Sequence, residues 1–173
     1  MPSHSMKWLI PATICAVTTH VCICCSLFTQ DWVEVSGVAL QASVSSGIFP
    51  WECVSSNTCN VFWDTADGWD KCFFFLMLFA WIFQFFVLIT AAVALFVPRL
   101  RYNFTSLFYG IQGLVFLLLG VEVILYGIKY DRNLGGLEDI FGVTVTLGYS
   151  YWFSTVAVML AVGAVGMVGE VAA

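Results

Sequence analysis

The chain has 173 residues, of which 61% are hydrophobic, 17% aromatic and only 10% charged, with a formal net charge of −5. A soluble domain carries about 25% charged residues, so this composition excludes a water-covered globular domain. Six lysines and arginines in an acidic chain also exclude a nucleic-acid-binding surface. The apolar residues come in blocks long enough to cross a bilayer, which takes about 20 residues of helix.

The first apolar block covers residues 8–28 and carries no formal charge. Lys7 precedes it, so a secretory signal peptide is the competing interpretation. No small-x-small cleavage site follows the block, and it is longer than the apolar core of a signal peptide, which has about 7–15 residues. We therefore predict an uncleaved first transmembrane helix.

The polar segment at residues 29–71 is acidic and contains one base, Lys71. Alternating valines after Trp32 and turn residues such as Gly47 predict a small antiparallel sheet. Cys53 and Cys59 lie close together in the sequence, and we place them at the end of this sheet. They form the natural disulfide pair if the segment faces an oxidising compartment.

Three aspartates recur at every third position near the end of this segment. The spacing predicts a short helix that presents Asp64, Asp67 and Asp70 on one side, as an acidic patch above the second span. Such a patch attracts cations or a basic partner surface, and a solvated face that only keeps the loop soluble is the alternative. A calcium loop would need a bidentate glutamate where Phe75 stands, so we predict no metal site.

Three further apolar blocks predict the remaining spans, and Pro98 ends the second of them. Lysine and arginine near span ends mark the cytoplasmic side. Arg99 and Arg101 lie in the turn between spans two and three, and Lys7 falls on the same side of a four-span chain. We therefore predict one membrane domain over residues 1–173 with both termini cytoplasmic. Its predicted spans are residues 8–28, 72–97, 104–126 and 149–168, its cytoplasmic turn is 98–103, and its extracellular loops are 29–71 and 127–148, the second with a strand at 141–147.

Glu122 is the one charged side chain inside the predicted spans, and such residues are functional hypotheses by default. It lies about one turn below the predicted outer end of the third span, where we expect it to reach interfacial water. Two interpretations remain open. One is a structural hydrogen bond to a loop or a neighbouring helix, and the other is contact with an ion or a partner.

Glycines recur at every seventh position of the third span, at Gly113, Gly120 and Gly127. A face of small residues allows a neighbouring helix to approach closely. Packing inside the bundle and a dimerisation face are the two interpretations, and we expect bundle packing. The substitution Gly120→Leu should then separate the helices.

No catalytic pattern accompanies these features, because no Ser-His-Asp, metal or phosphate-binding spacing occurs. We therefore predict no enzyme activity, no cofactor and no small-molecule substrate. The predicted partners are the lipid bilayer and other membrane proteins, either homotypic neighbours or a channel or receptor.

A tryptophan a few residues after the first span, a glycine-led triplet and two cysteines form a pattern that resembles a known superfamily. It comprises the claudins, the peripheral myelin proteins, the epithelial membrane proteins and the calcium-channel gamma subunits. This chain differs in having Phe49 as the third triplet residue, with Trp51 two places later. The matching residues are Trp32, Gly47, Ile48, Phe49, Cys53 and Cys59.

The resemblance implies an all-α membrane protein, a left-handed four-helix transmembrane bundle topped by a small extracellular antiparallel sheet. Four of five strands would come from the first loop. Trp32, Phe49 and Trp51 would anchor the sheet to the membrane surface or lie buried beneath it. The implied function is cell–cell adhesion in junctions of the plasma membrane, through the disulfide-stapled sheet. The alternative is an auxiliary, gamma-like subunit that packs on an ion channel or receptor and modulates it.

Overall fold

Four helices that are long and apolar enough to cross a membrane dominate the described part of the chain. The computed structural model describes residues 3–37, 44–56, 59–141 and 143–172. The chain is therefore a multi-pass membrane protein, as its composition predicts. Its helices are α1 (Ser3–Phe28), α2 (Cys53–Ser56), α3 (Cys59–Thr65), α4 (Gly68–Phe96), α5 (Arg101–Phe141) and α6 (Tyr149–Ala172), and its strands are β1 (Val33–Gly37), β2 (Val44–Ser46) and β3 (Val143–Leu147).

The four long helices form a ring in which α1 and α5 each pack against both α4 and α6. On each of the four long helices, one row of buried positions advances in alternating steps of three and four residues, the spacing of a left-handed bundle. Many of these residues are alanines, which let helix backbones approach closely. The buried rows consist of Leu9, Ala12, Ala16, Thr19, Ile23 and Ser26 on α1; Phe73, Met77, Ala80, Gln84, Val87, Ala91 and Ala94 on α4; Thr105, Phe108, Gln112, Val115, Leu119 and Glu122 on α5; and Ser150, Ser154, Ala157, Ala161, Ala164 and Val168 on α6. Cys22, Leu27, Phe74 and Thr90 are buried beside these rows.

Two of the three glycines that we expected to contact a neighbouring helix of the bundle do not do so. A Cβ atom at Gly113 or Gly120 would meet no atom within 4 Å, whereas one at Gly127 would lie 2.9 Å from Tyr151 Oη. The seven-residue repeat of the glycines runs one position out of step with the buried residues Gln112 and Leu119. The close helix contact expected at Gly120 is therefore wrong, and the described packing gives no contact that Gly120→Leu would break.

The third span continues as a helix well beyond its predicted end at residue 126. Helix α5 runs to Phe141, so most of the predicted second loop is helical. Charged residues there suggested a loop, but the stretch contains no proline to stop the helix. Among the described residues of the predicted loop, only β3 is extended, so the strand predicted at residues 141–147 is confirmed from Val143 onward.

The sheet has β1 at its centre, antiparallel to β2 on one side and to β3 on the other. Val33 and Val145 are buried, whereas Glu34 and Thr146 are exposed. This alternation gives the sheet an apolar face toward the helices and a polar face away from them.

The described residues contain three strands, against the five that the resemblance implied. Two come from the first loop, and residues 38–43, within the predicted sheet, lie outside the described ranges. The expectation that Cys53 and Cys59 end this sheet is wrong, because they begin the helices α2 and α3.

Candidate interaction surface

Trp32 fastens the sheet to the bundle. Its side chain is fully buried, and its Nε1–H donates to the carbonyl oxygen of Ser26 at 2.8 Å. Ser26 lies in the last turn of α1, where carbonyls lack partners within the helix. The Trp32 ring also contacts Tyr126 of α5 and Tyr151 of α6, at centroid distances of 4.8 and 6.2 Å. One side chain therefore joins three of the four long helices to the start of β1.

The indole of Trp51 also hydrogen-bonds to the C-terminal end of α1. Trp51 Nε1–H donates to the carbonyl oxygen of Leu27 at 2.6 Å, and its ring lies 4.8 Å from that of Phe28. The neighbouring carbonyl of Cys25 accepts from the hydroxyl of Thr29. Three consecutive carbonyl groups at the end of α1 are thus satisfied by side chains, which fixes the direction in which the chain leaves the membrane.

The triplet Gly47-Ile48-Phe49 lies against the connection between α1 and β1. A Cβ atom at Gly47 would lie 2.9 Å from Cα of Gln30, so this close approach requires glycine. Ile48 and Phe49 are both buried, and the Phe49 ring stacks on Phe74 of α4 at 4.7 Å. Phe49 and Trp32 are therefore buried as one of the two interpretations predicted, while Trp51 is half-buried.

The start of α6 is held directly against the residues that precede β1. The backbone N–H of Gly148 donates to the carbonyl of Trp32 at 2.9 Å, and that of Ser150 to the carbonyl of Asp31 at 3.0 Å. The Ser26 hydroxyl donates to the carbonyl of Ser150 at 2.8 Å. We call this contact between the start of α6 and the residues before β1 the seam. The sequence analysis did not predict it, and its one local signal was the glycine that precedes the fourth span.

The carboxylate of Asp31 extends the same seam toward solvent. Hydroxyl groups of Tyr149 and, to a lesser extent, Ser45 donate to it and hold the pKa of Asp31 below its ordinary value. The seam therefore combines backbone hydrogen bonds with a charge-assisted contact between the end of α1 and the start of α6.

Cys53 and Cys59 form the predicted disulfide, with their Cα atoms 4.8 Å apart. It joins α2 to α3, and Cys53 is buried beside the aromatic cluster around Phe49. Closing so short a loop contributes about 2–3 kcal/mol to the free energy of unfolding. The bond therefore staples two short helices that have little core of their own.

Removing this bridge with the double substitution Cys53→Ser and Cys59→Ser should lower the free energy of unfolding by about 2–3 kcal/mol. Thermal or denaturant unfolding in one detergent measures the change. Cys72→Ser is the matched control, because Cys72 is an exposed free thiol. A double variant that unfolds at the same midpoint as Cys72→Ser would show that the bridge adds nothing.

The three aspartates of the acidic patch are exposed, but they do not share one helix. Helix α3 ends at Thr65, and Asp67 caps the start of α4, where its Oδ1 accepts from the N–H of Gly68 at 2.7 Å. The carboxylate of Asp70 in turn accepts from the backbone N–H of Asp67, which is one half of a capping box. The prediction of one helix carrying Asp64, Asp67 and Asp70 is therefore wrong, and two of them stabilise the start of α4.

Glu122 lies inside the bundle and is fully buried. Its Oε2 accepts from the hydroxyl of Ser154 on α6 at 2.9 Å, whereas its Oε1 has no hydrogen-bond partner among the described residues. Because Glu122 has no exposed surface, the expected contact with interfacial water is wrong. The candidate span also extends about two turns farther, to Tyr130. The hydrogen bond to a neighbouring helix agrees with the structural interpretation.

The outward face of the sheet presents hydrogen-bonding groups to the exterior. The hydroxyls of Ser36 and Thr144 lie 2.9 Å apart across β1 and β3, and Glu34 is exposed beside them. No group of three or more His, Cys, Asp and Glu residues suited to a metal ion occurs in the described ranges. This face is therefore suited to hydrogen bonds and charge contacts with another surface.

The chain is similar to one known protein family over nearly its whole length. A family model described as tight junction protein, claudin-like, matches residues 6–173. No curated protein sequence matches the chain significantly. The family match includes every candidate span, the three strands and both bridged cysteines.

Proposed function

Because this chain belongs to the claudin-like family of tight junction proteins, we propose that it acts in cell–cell junctions, with its sheet as the contact surface. The supporting observation is the attachment of that sheet. Trp32 ties β1 to three long helices, and the seam at Gly148 ties it to the start of α6. A polar face held this rigidly loses little conformational entropy when it meets a partner on the same or the facing cell.

We further infer that the sheet is extracellular and that both termini are cytoplasmic, in the plasma membrane. The disulfide supports this orientation, because such bonds persist in oxidising compartments. Lys7 and Arg99 are exposed at the opposite end of the bundle, and bases near span ends favour the cytoplasmic side.

The acidic patch supplies the chemistry of the contact. Asp64 has no capping role in the described hydrogen bonds, and Asp67 and Asp70 remain exposed despite theirs. Exposed charge pairs contribute about 0–1 kcal/mol each, so no single aspartate is decisive. Together they attract cations or a basic surface over about 8 Å at physiological ionic strength.

Expression in cells that lack junction strands tests this function. We expect the protein to concentrate at cell contacts, and terminal tags to stain only after permeabilisation. Replacing the three aspartates by asparagine, which still caps α4 at position 67, should lower cation permeability or partner association about twofold at low salt and less at high salt. Even distribution over the cell surface would contradict the junction role, and equal permeability would reduce the patch to a solvated face.

An auxiliary channel subunit is the second candidate, and open space on two helices favours it. Gly113 and Gly120 on α5 and Gly163 and Gly166 on α6 have no atom within 4 Å of an added Cβ. Small residues on the outside of a bundle allow another transmembrane helix to approach closely. Native purification with mass spectrometry distinguishes the two functions. Co-purification of a channel that Gly113→Leu and Gly120→Leu release would favour the auxiliary role.

A further inference from the structure

A cavity of about 250 Å³ lies between the apolar face of the sheet and the outer ends of α4 and α5. The sheet contributes Val33 and Val35, and the helices contribute the rings of Phe73 and Tyr126. The volume is slightly below the 300–1,000 Å³ that is usual for drug-sized ligands. It therefore suits a compact group that is somewhat smaller than a drug-sized ligand.

Two opposite charges complete the lining of this cavity beneath the sheet. Asp70 on α4 and Lys129 on α5 both border it, and Asp70 is exposed. The Nζ atom of Lys129 lies 5.4 Å from the ring centroid of Trp69, within the range of a cation–π contact. Asp70 already accepts from the Asp67 backbone N–H, and a carboxylate can accept several hydrogen bonds. The cavity thus offers a negative group, a positive group and aromatic rings to one occupant.

The position of the cavity relative to the candidate spans indicates what kind of molecule can occupy it. The candidate span in α4 begins at Gly68, and the one in α5 ends at Tyr130. Asp70 and Lys129 therefore lie within one turn of the ends of their spans, at the level where the hydrocarbon core gives way to lipid headgroups. At this level a phospholipid carries its phosphate and its ammonium group.

We propose that the cavity beneath the sheet binds the zwitterionic headgroup of a phospholipid in the leaflet next to the sheet. The ammonium lies beside Asp70 and the aromatic rings, and the phosphate lies beside Lys129. Aromatic faces and a carboxylate favour a quaternary ammonium, and a lysine favours a phosphate as a point charge. A headgroup with a net negative charge and no ammonium would offer Asp70 no cationic group and would place a like charge near it.

Native mass spectrometry of the full chain tests this binding. The protein is purified in maltoside micelles and titrated with dioleoyl phosphatidylcholine or dioleoyl phosphatidylglycerol, which share their acyl chains. We expect phosphatidylcholine to be retained more strongly, and Lys129→Gln to weaken its retention about tenfold. Lys129→Arg should restore it. Lys71→Gln is the matched control, because it removes a base that does not line the cavity.

Several outcomes would overturn the proposal. Equal retention of both lipids by the unmodified chain would do so without any variant, which covers the case in which a substitution impairs folding. Equal losses in Lys129→Gln and Lys71→Gln would assign the effect to overall charge. Soluble phosphocholine that binds where phosphatidylcholine does not would show that the cavity takes a free solute rather than a lipid.

Discussion

The substitution Gly148→Ala is expected to remove more than about 3 kcal/mol of unfolding free energy, enough to prevent folding in a marginally stable chain. A Cβ atom at Gly148 would lie 2.1 Å from the carbonyl oxygen of Asp31 and 2.7 Å from its carbonyl carbon. These are backbone atoms, and hydrogen bonds from Gly148 to Trp32 and from Ser150 to Asp31 fix them on both sides. The clash can be relieved only by separating α6 from the start of β1.

Thermal unfolding in one detergent measures this effect, with Gly120→Ala as the matched control. Position 120 has no atom within 4 Å of an added Cβ and lies within a helix. Alanine there should be neutral or should stabilise the helix by up to about 1 kcal/mol, because glycine is a poor helix former. Equal midpoints for Gly148→Ala and Gly120→Ala would show that the seam yields without cost.

Local patterns in the sequence predicted those features that depend on neighbouring residues. Apolar blocks place the spans because a bilayer demands about 20 apolar residues. Alternation in a short polar segment placed β3, and two nearby cysteines in an extracellular-like loop placed the disulfide. Each of these needs only a few adjacent positions to be recognised.

Features that depend on which face of a helix is buried could not be predicted from neighbouring residues. Gly113 and Gly120 repeat with the right period but lie one position away from the buried residues Gln112 and Leu119 of α5. The aspartates repeat every third residue, yet a helix boundary falls between Asp64 and Asp67. A period shows that a helix face exists, whereas which face is buried depends on partners elsewhere in the chain.

The junction of sheet and bundle was hidden for a related reason. Ser26, Trp32, Tyr126 and Ser150 meet there, although more than 100 residues separate the first from the last. No spacing rule relates such distant positions in a single sequence. The resemblance singled out Trp32, but only the structure shows that its indole N–H satisfies a carbonyl at the end of α1.

Replacing Trp32 is expected to have the second large effect. Trp32→Ala should cost about 3–5 kcal/mol, the usual loss for a buried aromatic ring. Trp32→Phe keeps a ring against Tyr126 and Tyr151 but leaves the Ser26 carbonyl without its donor, at a cost of about 1–3 kcal/mol. The difference between the two variants separates ring packing from the hydrogen bond.

Trp152→Phe is the matched control for these variants, because the side chain of Trp152 is 58% exposed on the outside of α6. Denaturant unfolding in one detergent should place Trp152→Phe close to the unmodified chain, Trp32→Phe below it and Trp32→Ala lowest. If Trp32→Phe unfolds with Trp152→Phe, the indole hydrogen bond contributes nothing and the ring alone holds the sheet. If Trp32→Ala also unfolds at the same midpoint as Trp152→Phe, the seam at Gly148 is sufficient to attach the sheet, and Trp32 is not needed for that attachment.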